Sequence, residues 1–236
     1  MLRRGFGGLI TDAQWRTLTS SIVPRAFTPG QTLLRQGDNG AGVHLILNGS
    51  ARVVSVSTDG TAVPLAFRTS GEVLGEPALT AVGRVRNATV TAVNGGSTVF
   101  LSAERFQRRL TELGLETALW RSVLMRQAES DQLRVQQATL SAERRLSAAL
   151  VQLAGMLGEP MPPALGRAGV PQGGGHLLRI ALPQEDIAGF VGLSRTSVHN
   201  AYTKLKEKML IRTGRQYVAL LDLAALKSLA HGSPKD

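Results

Sequence analysis

The chain has 236 residues, with 27 basic against 17 acidic side chains, a formal charge of +10 and 43% hydrophobic content. That length allows two small domains, each with its own core, and that hydrophobic share excludes wholesale disorder. The absence of cysteine excludes disulfides, cysteine-ligated zinc and cysteine-ligated iron–sulfur clusters.

From about Phe27 to Leu101, short β-rich runs alternate with glycine turns: Gln31–Arg35, His44–Leu47, Ala51–Ser57, Ala62–Thr69, Ala88–Ala92 and Ser97–Leu101. Regular short strands of this kind predict a sandwich or barrel. Within this region Gly71–Ala92 reads GEVLGEPALTAVGRVRNATVTA. Gly75 lets the backbone approach a ligand, and a short helix is predicted to start at Pro77. Arg86 supplies a charged donor fork and Glu76 an acceptor, together suiting an anion attached to a hydroxylated sugar. An ordinary turn with a surface Glu–Arg pair is the competing reading of the same residues.

Ser102-Ala-Glu-Arg opens a helical region, and a long helix is predicted over Leu115–Ala138. Leu124 and Ala138 share one heptad position and Ala128 and Val135 another, with Asp131 as an acidic exception. So narrow a seam suits a partner helix, and a closed two-fold homodimer is the commonest way to cover it. Ser141 can cap a further helix, Ala142–Leu157, which begins a second domain. Gly158–Gly175 gathers four prolines and six glycines, predicting a mobile loop before a short strand, Leu177–Ala181.

The stretch QEDIAGFVGLSRTSVHNAYTKLKEKMLI, which begins at Gln184, predicts a helix, a tight turn at Gly192 and a second helix. Pro183 suits a first helical turn, Glu185 and Asp186 favour its positive end, and Ile187, Ala188, Phe190 and Val191 form an apolar face. Ser194 can cap the second helix. Val198, Ala201, Tyr202 and Leu205 recur at helical spacing, leaving Arg195, Thr196, Ser197, His199 and Asn200 outward, as a recognition helix requires. Arg195, Lys204, Lys206, Lys208, Arg212 and Arg215 cluster against Glu207, which suits phosphate contacts. Leu210–Arg212 and Gln216–Leu220 flank Thr213-Gly214-Arg215, predicting a two-stranded wing.

No catalytic constellation emerges, since phosphate-loop, GxSxG and HExxH patterns are all missing. The histidines His44, His176, His199 and His231 lie far apart without metal-ligand spacing. No apolar run approaches the roughly 20 residues needed to span a bilayer. The start, MLRRGFGGLITDAQW, is too glycine-rich and too soon polar for a secretory signal. A soluble cytoplasmic protein without contact to membranes is therefore expected.

Barrel, cassette, long helix and winged helix-turn-helix, taken together over roughly Phe27–Leu226, resemble the Crp/Fnr family of transcription regulators. Gly75-Glu76, a spacer and Arg86-Asn87-Ala88 resemble the family's G-E, spacer, R-[ST]-A cassette, with Asn87 in place of Ser or Thr. The resemblance implies that Arg86 and the backbone near Gly75 hold a cyclic phosphate, Glu76 a ribose 2′-hydroxyl, and that Ser130 and Asp131 face the base. It implies an α+β fold in three parts: a cyclic-nucleotide-binding jelly-roll barrel over 1–114, a dimerisation helix over 115–140 and a DNA-binding domain over 141–236. It also implies a cyclic nucleotide such as cyclic AMP as effector, double-stranded DNA and RNA polymerase as partners, and an allosteric homodimer on a palindromic site. Ser194, Arg195 and Val198 fit the family pattern, whereas Thr196 and Asn200 depart from it, so a different operator is expected. No metal is expected; the iron–sulfur branch needs cysteine, and beyond His44 nothing offers a haem ligand. Two alternatives stay open: an effector-independent regulator with a vestigial pocket, and a nucleotide-processing enzyme.

Overall fold

The computed structural model describes residues 3–80, 85–161, 175–179, 184–214 and 217–231. They form two compact units, Met1–Asp131 and Gln132–Asp236. The first begins with two helices, α1 (Gly5–Gly8) and α2 (Asp12–Thr19), which the sequence reading did not foresee. The signal for α2 was there: Thr11 and Gln14 exchange side-chain and backbone hydrogen bonds in a capping box. Phe6, Ile10, Trp15 and Leu18 drop from this segment into the core.

Eight strands follow: β1 (Arg25–Phe27), β2 (Thr32–Leu34), β3 (Gly42–Asn48), β4 (Ser50–Val56), β5 (Ala62–Thr69), β6 (Val73–Leu74), β7 (Thr89–Ala92) and β8 (Gly96–Ser102). They make two four-stranded sheets, ordered β1-β8-β3-β6 and β2-β7-β4-β5, antiparallel throughout. The jelly-roll expectation holds, but the barrel is not closed: among the described residues no strand of one sheet pairs with a strand of the other. Irregular register between Val53 and Val54 and between Ile46 and Asn48 bends the long strands, and two face-to-face sheets bury the apolar set without closure. One core joins Val43, Leu45, Val73, Val99 and Leu101 to the helical residues Phe106 and Leu110 and to Leu115, between α3 and α4. A second gathers Ile46, Ala51, Leu74 and Val90.

Ser102 caps α3 (Ala103–Leu113), its hydroxyl accepting from the Arg105 N–H. After Gly114 comes α4 (Glu116–Thr139), within one residue of the predicted bounds. On α4, Trp120, Leu124, Met125 and Val135 are exposed, Trp120 and Leu124 at 65%. A helix packed only on its own sheets would not leave its largest apolar groups in water.

In the second unit, α5 (Ala142–Leu157) buries Leu146, Ala149, Leu150 and Leu153. The predicted loop starts differently: β9 (Glu159–Pro160) pairs with β10 (His176–Leu178), so its first residues belong to a sheet, while 162–174 lie outside the described residues. The predicted strand Leu177–Ala181 is shorter and starts one residue earlier, with 180–181 likewise outside, as is Pro183. Next come α6 (Gln184–Val191), α7 (Arg195–Glu207), β11 (Ile211–Gly214), β12 (Tyr217–Leu220) and α8 (Leu223–His231). The sheet order is β11-β12-β10-β9.

Candidate effector pocket and nucleic-acid interface

Arg86 is 7% exposed. Its Nη1 donates to the Gly75 carbonyl at 2.8 Å and its Nη2 to the Gly42 carbonyl at 2.6 Å. Two backbone carbonyls from two places in the first unit thus fix the plane of the guanidinium, and burial lowers its pKa while Glu76 and Asp38 pull the other way. The charge survives because guanidinium is so strongly basic. Gly75 has φ 85°, and a Cβ there would overlap Arg86 Nη1. Glycine is therefore required at this position by Arg86 itself, as well as by the left-handed backbone.

The short helix of the cassette is a 3-10 turn, Glu76–Leu79, with Pro77 in its first turn. Arg86 lies beyond 81–84, which are outside the described residues, and next to the isolated bridge Asn39–Val85. Asn87 is exposed beside it.

Glu76 is not waiting alone. Arg126, on α4, pairs with its Oε1 through Nη1, and Arg126 Nη2 donates to the Val73 carbonyl at 2.8 Å. Arg126 escaped the sequence reading because fifty positions separate it from Glu76; the available hint was its place one turn before Ser130. At about 100° per residue, Ser130 lies about 40° around the helix from Arg126 and Asp131 about 140°. Ser130 therefore shares the cassette-facing side of α4, whereas Asp131 does not. Asp131 Oδ1 accepts from Gln127 Nε2 at 3.0 Å.

His44, on β3, is tilted against Phe100 with ring centroids 5.1 Å apart, and its Nδ1 lies 3.3 Å from Thr98 Oγ1. Burial, then the charges of Arg86 and Arg25, hold its pKa down at about 4. It stays neutral. Among the described residues no cluster of three or more histidine, aspartate or glutamate side chains could hold a metal ion.

In the second unit Gly192, with φ 65°, makes the turn between α6 and α7. Arg145 Nη1 donates to its carbonyl at 3.2 Å and Gln137 Nε2 to that of Phe190 at 3.2 Å, so residues around the start of α5 brace the turn. Ser194 caps α7 through the Ser197 N–H at 3.1 Å, and its own hydroxyl donates to Ser197 Oγ at 2.9 Å. Val198, Ala201, Tyr202 and Leu205 are buried, while Arg195, Thr196, His199, Asn200 and Lys204 are exposed on the other side. Arg195 is paired with Glu185 at the start of α6 yet remains 75% exposed. The wing forms as expected from β11 and β12; Arg215, at its tip, lies outside the described residues. Lys208 is turned away to Glu143 on α5.

Residues 24–112 match the cyclic nucleotide-binding domain and residues 144–229 the Crp-like helix-turn-helix domain. The chain belongs to the Crp/Fnr family. It is 27% identical over 212 residues to the nitrogen fixation regulation protein FixK of Rhizobium meliloti, covering 87% of this chain and 86% of that one. It is 25% identical over 209 residues to the cyclic AMP receptor protein of Thermus thermophilus, covering 88% of each. A crystal structure of a Crp/Fnr-family transcriptional regulator, also from Thermus thermophilus, shares the fold, with TM-score 0.71 at 24% identity over 89% of this chain and 99% of that one. The molecule is accordingly a Crp/Fnr-type DNA-binding transcription regulator with a cyclic nucleotide-binding domain. No helix among the described residues is long and apolar enough to cross a membrane.

Proposed function

We propose that this regulator is a cytoplasmic homodimer that binds a cyclic nucleotide at Gly75, Glu76, Arg86, Asn87 and Ser130. It then docks Ser194, Arg195, Thr196, Ser197, His199, Asn200, Lys204 and Arg215 on a palindromic DNA site. The observation that carries the ligand reading is Arg86: a guanidinium buried and clamped by two carbonyls is a cation held in place to meet an anion. The cyclic phosphate would meet Arg86, the sugar hydroxyl Glu76. We assign residues 1–114 to the sensory domain, 115–140 to the dimer helix and 141–236 to DNA binding. The exposed Trp120, Leu124, Met125 and Val135 support a second copy on α4. Ligand would bias the packing of the paired helices and hence the spacing of the recognition helices, which must match half-sites about one DNA turn apart. The family reading carries with it contact with RNA polymerase.

A second reading, an effector-independent regulator, draws on one observation: Arg126 already neutralises Glu76. One experiment separates the two. The full chain is titrated calorimetrically with cyclic AMP and cyclic GMP, then used to select duplexes from a random pool with and without each nucleotide. Saturable binding together with a nucleotide-dependent gain in selected sites is the expected result. Equal selection with and without nucleotide, and no heat, would leave the effector-independent regulator.

A further inference from the structure

One buried ionisable group is left without a role in the effector reading. Glu72 is 5% exposed and lies one helical-turn equivalent before Glu76 in GEVLGE. Its Oε2 accepts the Thr69 N–H at 2.7 Å, which fixes the carboxylate. Its Oε1 lies 3.5 Å from Arg68 Nε and 3.8 Å from Arg126 Nη2. Those separations are beyond a good hydrogen bond, so Glu72 acts on the two arginines as a buried charge. Arg68 reaches on to α4, with Nη1 at 4.0 Å from Glu129 Oε2. The turn α1 closes over the group: a Cβ at Gly5 would lie 2.8 Å from Glu72 Cγ.

Two guanidinium groups so placed repel each other, and Glu72 is the negative charge between them. Burial pushes the Glu72 carboxyl up while both arginines oppose that shift. Arg126 is held at its two Nη atoms, but its buried Nε donates to no partner among the described residues. It is therefore under-satisfied in its present position, and a change of charge beside it should move it.

Building on the effector pocket proposed above, we propose that Glu72, with Arg68, is a positioning residue for ligand sensing. It shares the charge of Arg126, so that Glu76 keeps acceptor capacity for the sugar hydroxyl and α4 feels when that capacity is used. Without Glu72, Arg126 has, among the described residues, only Glu76 as a carboxylate partner and is pushed toward it by Arg68. The guanidinium then monopolises Glu76. The sugar hydroxyl loses its acceptor, while the phosphate contact at Arg86 stays. Glu72 thus tunes discrimination at the 2′-position without touching the ligand.

The test measures the affinity of the full-length protein for cyclic AMP and for its 2′-deoxy analogue, with cyclic GMP and its 2′-deoxy analogue as the second pair. Each is read with and without specific DNA. In the wild type the ribose form should bind about tenfold tighter than the deoxy form, the worth of a hydrogen bond to a carboxylate. Glu72→Gln should bring that ratio below about threefold and shrink the ligand-driven gain in DNA affinity by a similar factor. Arg68→Met should move the ratio the other way, above the wild-type value, since Arg126 is then no longer pushed toward Glu76 and Glu72 is left to share its charge alone. If Glu72→Gln does not fold, Arg68→Met decides. The ratio compares two ligands on one preparation, so mere destabilisation leaves it unchanged. A ratio and coupling equal to wild type in the folded variants overturns the positioning role alone. Failure of the wild type to bind either pair overturns it together with the effector reading.

Discussion

In the N-terminal unit Arg86 is buried and Arg68 and Arg126 are half-buried, all three tied to carbonyls or carboxylates. In the C-terminal unit Arg195, Lys204 and Arg212 stand in water on a helix face and a wing. One residue type thus serves two physical regimes. A buried guanidinium is preorganised and little screened, so it can fix the orientation of one small anion. An exposed cation gains little from any single partner but releases counterions when it meets a polyanion.

The largest expected effect breaks that contrast through salt. DNA affinity should fall by about 0.9 log units per log unit of salt for each phosphate neutralised, roughly a thousandfold between 50 and 200 mM for about six contacts. Nucleotide affinity at the buried Arg86 should change by only a few-fold over the same range. Filter binding and calorimetry on one preparation check both. Equal salt slopes at the two sites would remove the distinction.

Arg86→Leu is next. It leaves the Gly75 and Gly42 carbonyls without their donors and removes the charge facing the ligand, so nucleotide affinity should drop at least about a hundredfold. Ligand-free DNA binding measured by gel shift should persist, since Arg86 lies outside the second unit. If calorimetry shows nucleotide binding unchanged, the pocket is elsewhere.

His44 gives a pH test of burial in the first unit. Its folded pKa is about 4 against an ordinary 6.5. Between those values the unfolded chain binds a proton that the folded chain refuses, so stability rises with pH and is lost as pH falls from about 6.5 toward 4. The maximum contribution is about 3 kcal/mol. Denaturant unfolding of wild type and His44→Leu across pH 4 to 7 should show a flatter profile for the variant. Parallel profiles would mean that His44 protonates in the folded state at its ordinary pKa.

The degree to which each region was legible follows the same division. In the second unit α5, α6, α7 and the wing are legible, because Ser194, the apolar run Val198, Ala201, Tyr202 and Leu205, and the glycine at 192 are local signals, whereas β9 and α8 carry no such signal. In the first unit the long alternating strands β3, β4, β5 and β8 were equally plain. The strands β1 and β6 were not: two or three residues carry no period, and only the neighbours β8 and β3 make them strands. No local signal marks α1, because the helix is held by packing of Phe6 and by the Gly7 N–H to the Gly71 carbonyl at 2.7 Å, contacts invisible in the local pattern. The cassette residues could be named from their spacing, but the engagement of Glu76 by Arg126 is a long-range ion pair that no local rule contains.

The smallest expected effects concern Arg195 and sharpen the comparison from the exposed side. Arg195→Ala should cost about 1–3 kcal/mol in DNA affinity and relax preference at one position of each half-site, as loss of a bidentate base contact does. In the free protein the same side chain is paired with Glu185, and both are largely exposed. An exposed ion pair is worth about 0.2–1 kcal/mol, so the pair is a weak competitor for Arg195 rather than a lock. Glu185→Gln should therefore tighten DNA binding by no more than a few-fold and leave the selected sequence unchanged, because it frees Arg195 without altering what it reads. Sequencing of selected duplexes for the three proteins tests this. Uniform weakening by Arg195→Ala with an unaltered motif would make Arg195 a phosphate contact. A large gain from Glu185→Gln would show that the exposed face stores more pairing energy than water-screened charges can hold, and the contrast with the buried arginines would narrow.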